Sequence, residues 1–121
     1  MARRIPSIDN EDAFRAWLRE HHQHDERLVR DTIARCRRLN RDMGNIQDAY
    51  DADRCVRMLE LLKYTIEDAH NHRQAPGMLS FRGDKRSDHY FNRTLKEGLA
   101  TLRTELETYC KFREGVNAMK N

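Results

Sequence analysis

From Phe14 onward the apolar positions recur at helical intervals almost to the end of the chain. Phe14, Trp17 and Leu18 share one face at i, i+3 and i+4, which predicts a first helix over about residues 10–22, with Ser7 and Asp9 as candidate N-cap oxygens. After the polar HHQHDE junction, Leu28, Val29, Thr32, Ile33, Cys36, Leu39 and Met43 fill one arc of a second helix over 25–43. Asp25 and Glu26 stand in its first turn, where the helix dipole favours negative charge, and Gly44 supplies its left-handed end. A third helix over 47–72 carries Cys55, Met58, Leu59, Leu62, Ile66 and Ala69 on one stripe. Its acidic residues, Asp48, Asp51, Asp53, Glu60, Glu67 and Asp68, fall mostly off that stripe and are expected at the surface.

Pro76, Gly77 and Gly83 break the periodicity, so residues 74–87 read as a long loop that Met78, Leu79 and Phe81 pin to the core at one end. The last helix, over 88–114, buries Phe91, Leu95, Leu99, Leu102, Leu106 and Tyr109, and Gly98 within it suggests a close helix crossing. The tail from Gly115 to Asn121 falls outside it. No segment alternates with the period of a strand. These elements predict an all-α chain folded as one bundle of four or five helices.

Composition agrees with a single helical domain: 121 residues, 38% hydrophobic and 36% charged, with five Gly and two Pro. No apolar run has the length of a membrane span, and MARRIPSIDN lacks the apolar core of a signal peptide, which together lead to an expectation of a cytoplasmic protein without membrane contact. Cys36, Cys55 and Cys110 form no C-x-x-C pair and are read as reduced core thiols.

Charge changes the picture more than composition does. The net charge is only +3, yet residues 27–41 hold six arginines against one carboxylate, Asp31. Residues 42–69 carry seven carboxylates against three basic side chains, and 70–96 six basic side chains against two carboxylates. Two basic blocks therefore flank an acidic one. On the second helix Arg27, Arg30, Arg37, Arg38 and Arg41 fall within an arc of roughly 100° opposite the apolar one. An ordinary solvated helix face would alternate signs at i, i+4. A guanidinium cluster without local counter-charges suits phosphate oxygens instead. Arg82, Lys85 and Arg86 in the loop, with Arg93 beyond it, make a second candidate contact.

Other chemistry finds less footing. His21, His22, His24, His70 and His72 show no ligand spacing for zinc and are read as helix ends and turns, so no metal or other cofactor is expected. No Ser or Cys stands in a glycine-flanked elbow and no glycine-rich phosphate loop is present, so no enzymatic activity is expected. Trp17, Tyr90 and Tyr109 could stack on a ligand, but their spacing favours the core.

The order of elements and three local matches bring in a family. Phe14-Arg15-Ala16-Trp17-Leu18, the stretch from Thr32-Ile33 to Arg38-Leu39, and Asn92-Arg93-Thr94-Leu95 leading to Tyr109 and Phe112 resemble the N-terminal core-binding domain of tyrosine recombinases and phage integrases. That resemblance implies a SAM-like arrangement of helices that grips one face of a DNA duplex. The family keeps its catalytic residues in a separate domain, and Tyr109 here has no Arg-x-x-His companion, so what the resemblance implies is DNA grip without strand cleavage. The preferred expectation is a non-catalytic module for double-stranded DNA, with Arg27, Arg30, Arg37, Arg38, Arg41, Arg82, Lys85, Arg86 and Arg93 on the nucleic acid. The alternative is a small helical protein-interaction factor from a phage or mobile element, an inhibitor or assembly subunit docking on a protein partner.

Overall fold

The computed structural model describes Ile8 and residues 10–119, with side chains placed through Val116. Ser7 and Asp9, the expected caps, lie outside the described residues. Helix α1 spans Glu11–His21 and starts from Asn10, which is itself left-handed and makes no side-chain cap. Helix α2 spans Glu26–Asp42, and the Asp25 carboxylate accepts from the backbone N–H groups of Arg27 and Leu28, satisfying two of the donors a helix start leaves open. Gly44 follows at φ +119°.

The expected third helix is three short ones. Helix α3 spans Ile46–Asp53, α4 Val56–Leu62 and α5 Ile66–His70. The first break falls at Arg54 and Cys55, both at positive φ, where the Cys55 N–H donates to the Ala49 carbonyl and the chain turns before α4 begins. The second break is capped chemically. The Thr65 hydroxyl accepts from the Asp68 N–H while the Asp68 carboxylate accepts from the Thr65 N–H, a capping box that starts α5 afresh. Ile66, expected on the buried stripe, is 61% exposed as a result.

The last helix begins at Asp88 as expected, but Tyr90–Leu95 is wound as a π-helix before α6, Lys96–Met119. The wider turn buries Tyr90, Phe91 and Leu95 together. Helix α6 also runs past Glu114 to Met119, into the segment expected as a tail.

Helix α6 is the axis of the bundle, meeting α1, α2 and α4 along its length, while α3 bridges α2 and α4 and α5 rests on the π-helical turn. Its stripe of Leu99, Leu102, Leu106 and Tyr109 is buried throughout. At one end Phe14 stands edge-on to Tyr109 at 5.4 Å and 5.0 Å from Phe112. Arg113 donates to the Tyr109 hydroxyl and to Asp51 of α3, so Tyr109 is a core residue with its polar tip engaged. Trp17 is only half-buried at the rim of this cluster, its ring stacked on His21 at 4.7 Å. All three cysteines are free and buried, as their stripes suggested. No helix among the described residues is long and apolar enough to cross a membrane.

Candidate nucleic-acid interface

Periodicity places the arginines of α2 on one side, but their tips do not share one environment. Arg37 forms a two-pronged bond with Glu11 of α1, Nε to Oε1 at 2.7 Å and Nη2 to Oε2 at 2.6 Å. That bond, with the charges of Arg37 and Arg15 behind it, holds the Glu11 carboxyl below its usual range against the opposing pull of burial. Arg35 approaches Glu105 of α6 at 3.6 Å. Arg41 bonds Asp42 through both nitrogens at 2.9 Å, which lowers the Asp42 carboxyl. The counter-charges missing from the local sequence thus come largely from α1, α6 and the end of α2 itself.

Arg38 has a different task. Its guanidinium lies 4.6 Å above the centre of the Phe81 ring, donates to the Ser80 carbonyl and stands 3.8 Å from Asp42. Phe81 in turn covers Gly98 so closely that a β-carbon there would overlap the ring. The glycine of the last helix therefore admits a loop aromatic, not a crossing helix. Further anchoring comes from the Met78 N–H, which donates to the Asp42 carbonyl at 3.0 Å, from Leu79, which is buried, and from Gly77, where a β-carbon would stand 2.6 Å from the Asp42 carbonyl oxygen. Met78, expected to help pin the loop, is 80% exposed. Residues 77–81 are thus tied along the C-terminal turn of α2 and over α6.

This tether sets the position of the second basic block. Arg82 follows Phe81 directly, so its backbone leaves from beside Arg38. Arg82 and Lys85 are exposed and have no ion-pair partner among the described residues, while Arg86 reaches only Asp84, at 3.3 Å. Arg93, one turn into the last helix, lies 3.7 Å from Glu97 and is exposed. At the other end of α2, Arg27 is exposed with no side-chain partner among the described residues, and Arg30 is 4.0 Å from Asp31. Leu28, which lies between them in sequence and which periodicity places on the apolar arc, is 46% exposed.

Seven of the nine candidate cations are therefore at the surface in a form that an anion can reach. Arg37 is a strut between α1 and α2, and Arg38 holds the loop. Sequence reasoning missed Glu11, Ser80 and Phe81 as the residues that organise the face. Glu11 lies 26 positions from Arg37, and no local spacing signals that pairing. Phe81 and Gly98 were each conspicuous, but not as a pair. His72 bonds Asp88 at 2.8 Å and stacks on Phe91, and no cluster of three or more His, Cys, Asp or Glu side chains that could hold a metal ion occurs among the described residues. No protein-family model, curated protein or solved structure matches this chain.

Proposed function

We propose that this chain is a non-catalytic duplex DNA-binding module of a recombinase-, nuclease- or mobile-element-related protein, holding phosphates with the exposed arginines of α2 and the basic loop. The observation that carries the reading is the Arg38–Phe81–Gly98 stack, which fastens the second basic block to the end of the first. Arg27 and Arg41 are separated by roughly 21 Å of helix, a span wide enough to reach phosphates on both sides of a major groove about 12 Å across. Arg30, Arg82, Lys85, Arg86 and Arg93 add to the same cationic set. The resemblance to recombinase core-binding domains, with a SAM-like arrangement of the helices, points the same way. Phosphate contacts position a protein without reading sequence, and the cations carry the whole interaction, so binding should be nearly indifferent to base sequence. Replacing Arg82, Lys85 and Arg86 by Gln should weaken binding by a similar factor for unrelated duplexes; unchanged affinity would remove the loop from the interface and the reading with it.

One observation favours the rival reading, a protein-interaction factor. Leu28, an apolar side chain 46% exposed beside the unpaired Arg27, offers area that a protein interface would cover and a phosphate would not. The two readings separate cleanly. Leu28→Ala leaves duplex affinity unchanged if phosphates are the ligand and removes most of the binding energy if an acidic protein surface is.

A further inference from the structure

The three free cysteines are not equivalent. Cys55 stands at the turn between α3 and α4 with φ 65°, a left-handed backbone that the surrounding packing has to hold. Its sulfur lies 3.7 Å from the Ile46 carbonyl oxygen at the start of α3. Cys110 arrives from α6, and its sulfur lies 3.8 Å from the carbonyl oxygen of Arg54, the residue bonded to Cys55. The two thiols thus meet at the turn, where the Cys55 S–H donates to the Cys110 sulfur. Cys36 belongs to α2 and meets a different part of α6, the Glu105 carbonyl, at 3.7 Å.

Environment separates their roles. Cys110 keeps 9% of its surface exposed, whereas Cys55 and Cys36 keep none. The hydrogen bond from Cys55 holds the Cys110 thiol below its ordinary range, and the Arg113 charge one turn along α6 adds to it, against burial and the carboxylates of Glu114 and Glu107. The same bond and burial push the Cys55 thiol up, and burial pushes Cys36 up. A sulfur in contact with solvent and favoured as thiolate, backed by a protonated second thiol, is placed as an attacking cysteine beside its resolving partner.

We propose that Cys110 and Cys55 are a redox modification site, converted by a peroxide into a reversible disulfide that staples the α3–α4 turn to α6. The Cys110 thiolate attacks one peroxide oxygen, the O–O bond breaks, and the leaving hydroxide takes up a proton as water, which leaves Cys110 as a sulfenic acid. The Cys55 sulfur then attacks the Cys110 sulfur; the S–O bond breaks, the hydroxyl leaves as a second water with the Cys55 proton, and the S–S bond forms. Two thiols are oxidised and one peroxide is reduced. The linkage uses none of the nine candidate DNA-contacting cations and does not depend on duplex binding. To test it, the full chain is treated with hydrogen peroxide in native buffer, alkylated, digested without reductant and mapped by mass spectrometry. A monomer lighter by two hydrogens should form, with the Cys55 and Cys110 peptides linked and Cys36 recovered alkylated. Dithiothreitol should restore both thiols, and the linked chain should unfold at higher urea, because the link closes residues 55–110 into a loop in the unfolded chain. In Cys55→Ser the Cys110 sulfenic acid should persist and be trapped by dimedone, and in Cys110→Ser no link should form. Mapping of the native chain decides the matter even if either variant fails to fold. Both thiols recovered alkylated, Cys110 over-oxidised without a link, a link through Cys36 or between two chains, or a link that forms only in urea would overturn the proposal.

Discussion

Trp17 and Phe14 sit one helical turn apart and differ in what they hold. Phe14 is fully buried among Tyr109 and Phe112, and truncating it to Ala should cost about 3–5 kcal/mol. Trp17, half-buried at the rim, should cost only about 1–3 kcal/mol on the same change. Urea unfolding followed by circular dichroism ranks the two, and an equal loss would mean that Trp17 belongs to the interior. Gly98 offers a test whose sign reverses with context. Gly98→Ala should destabilise the native chain by about 1–3 kcal/mol, because the new methyl meets the Phe81 ring. In a Phe81→Ala background the same substitution should become stabilising by up to about 1 kcal/mol, the ordinary helical gain of Ala over Gly. At this scale helical spacing already marked Tyr90, Tyr109 and the α6 leucines as core. It could not tell that Gly98 was reserved for an aromatic 17 positions earlier, because that contact is made across a loop.

Among the elements, α1 and α2 are joined by a pH-dependent contact. Glu11 has a folded-state pKa below its unfolded value, owing first to the Arg37 hydrogen bonds, so its contribution is complete above the unfolded carboxylate range and is lost as pH falls through the lowered folded value. The stability difference between the native chain and Glu11→Gln should therefore be largest near neutrality and shrink steadily below about pH 4.5. A difference that stays constant down to pH 3 would contradict the strut. Charge reversal on α2 divides in the same way. Arg37→Glu faces Glu11 with a like charge and should cost about 1 kcal/mol, whereas Arg27→Glu with Arg30→Glu should leave unfolding unchanged and affect only binding. The element order was legible because the apolar stripe of each long helix is unbroken. The division of residues 46–70 was not, since the turn between α3 and α4 uses Arg54 and Cys55 at positive φ without a glycine or proline to announce it. The start of α5 was visible in principle: Thr65 and Asp68 have the spacing of a capping box, overshadowed by a hydrophobic pattern that continued through it.

Over the whole molecule, the two basic blocks and the acidic stretch between them were legible as sequence, and their destinations were decided by tertiary contacts. A local count of charges found too few partners for the α2 arginines, because Glu11 and Glu105 arrive from other helices. What survives that pairing is a cationic set led by Arg27, Arg82 and Lys85, with Arg30, Arg41, Arg86 and Arg93 in pairs that the proposed phosphate contacts would replace. Its most direct test is the affinity of the full chain for a mixed-sequence duplex between about 50 and 200 mM salt, where each phosphate neutralised contributes roughly 0.9 to the slope of log K against log salt. Duplex binding by this surface predicts a slope of about −4 to −6, falling in magnitude by about two when Arg27 and Arg30 are both changed to Gln. A slope near zero, or no duplex binding at the lowest salt, would contradict it.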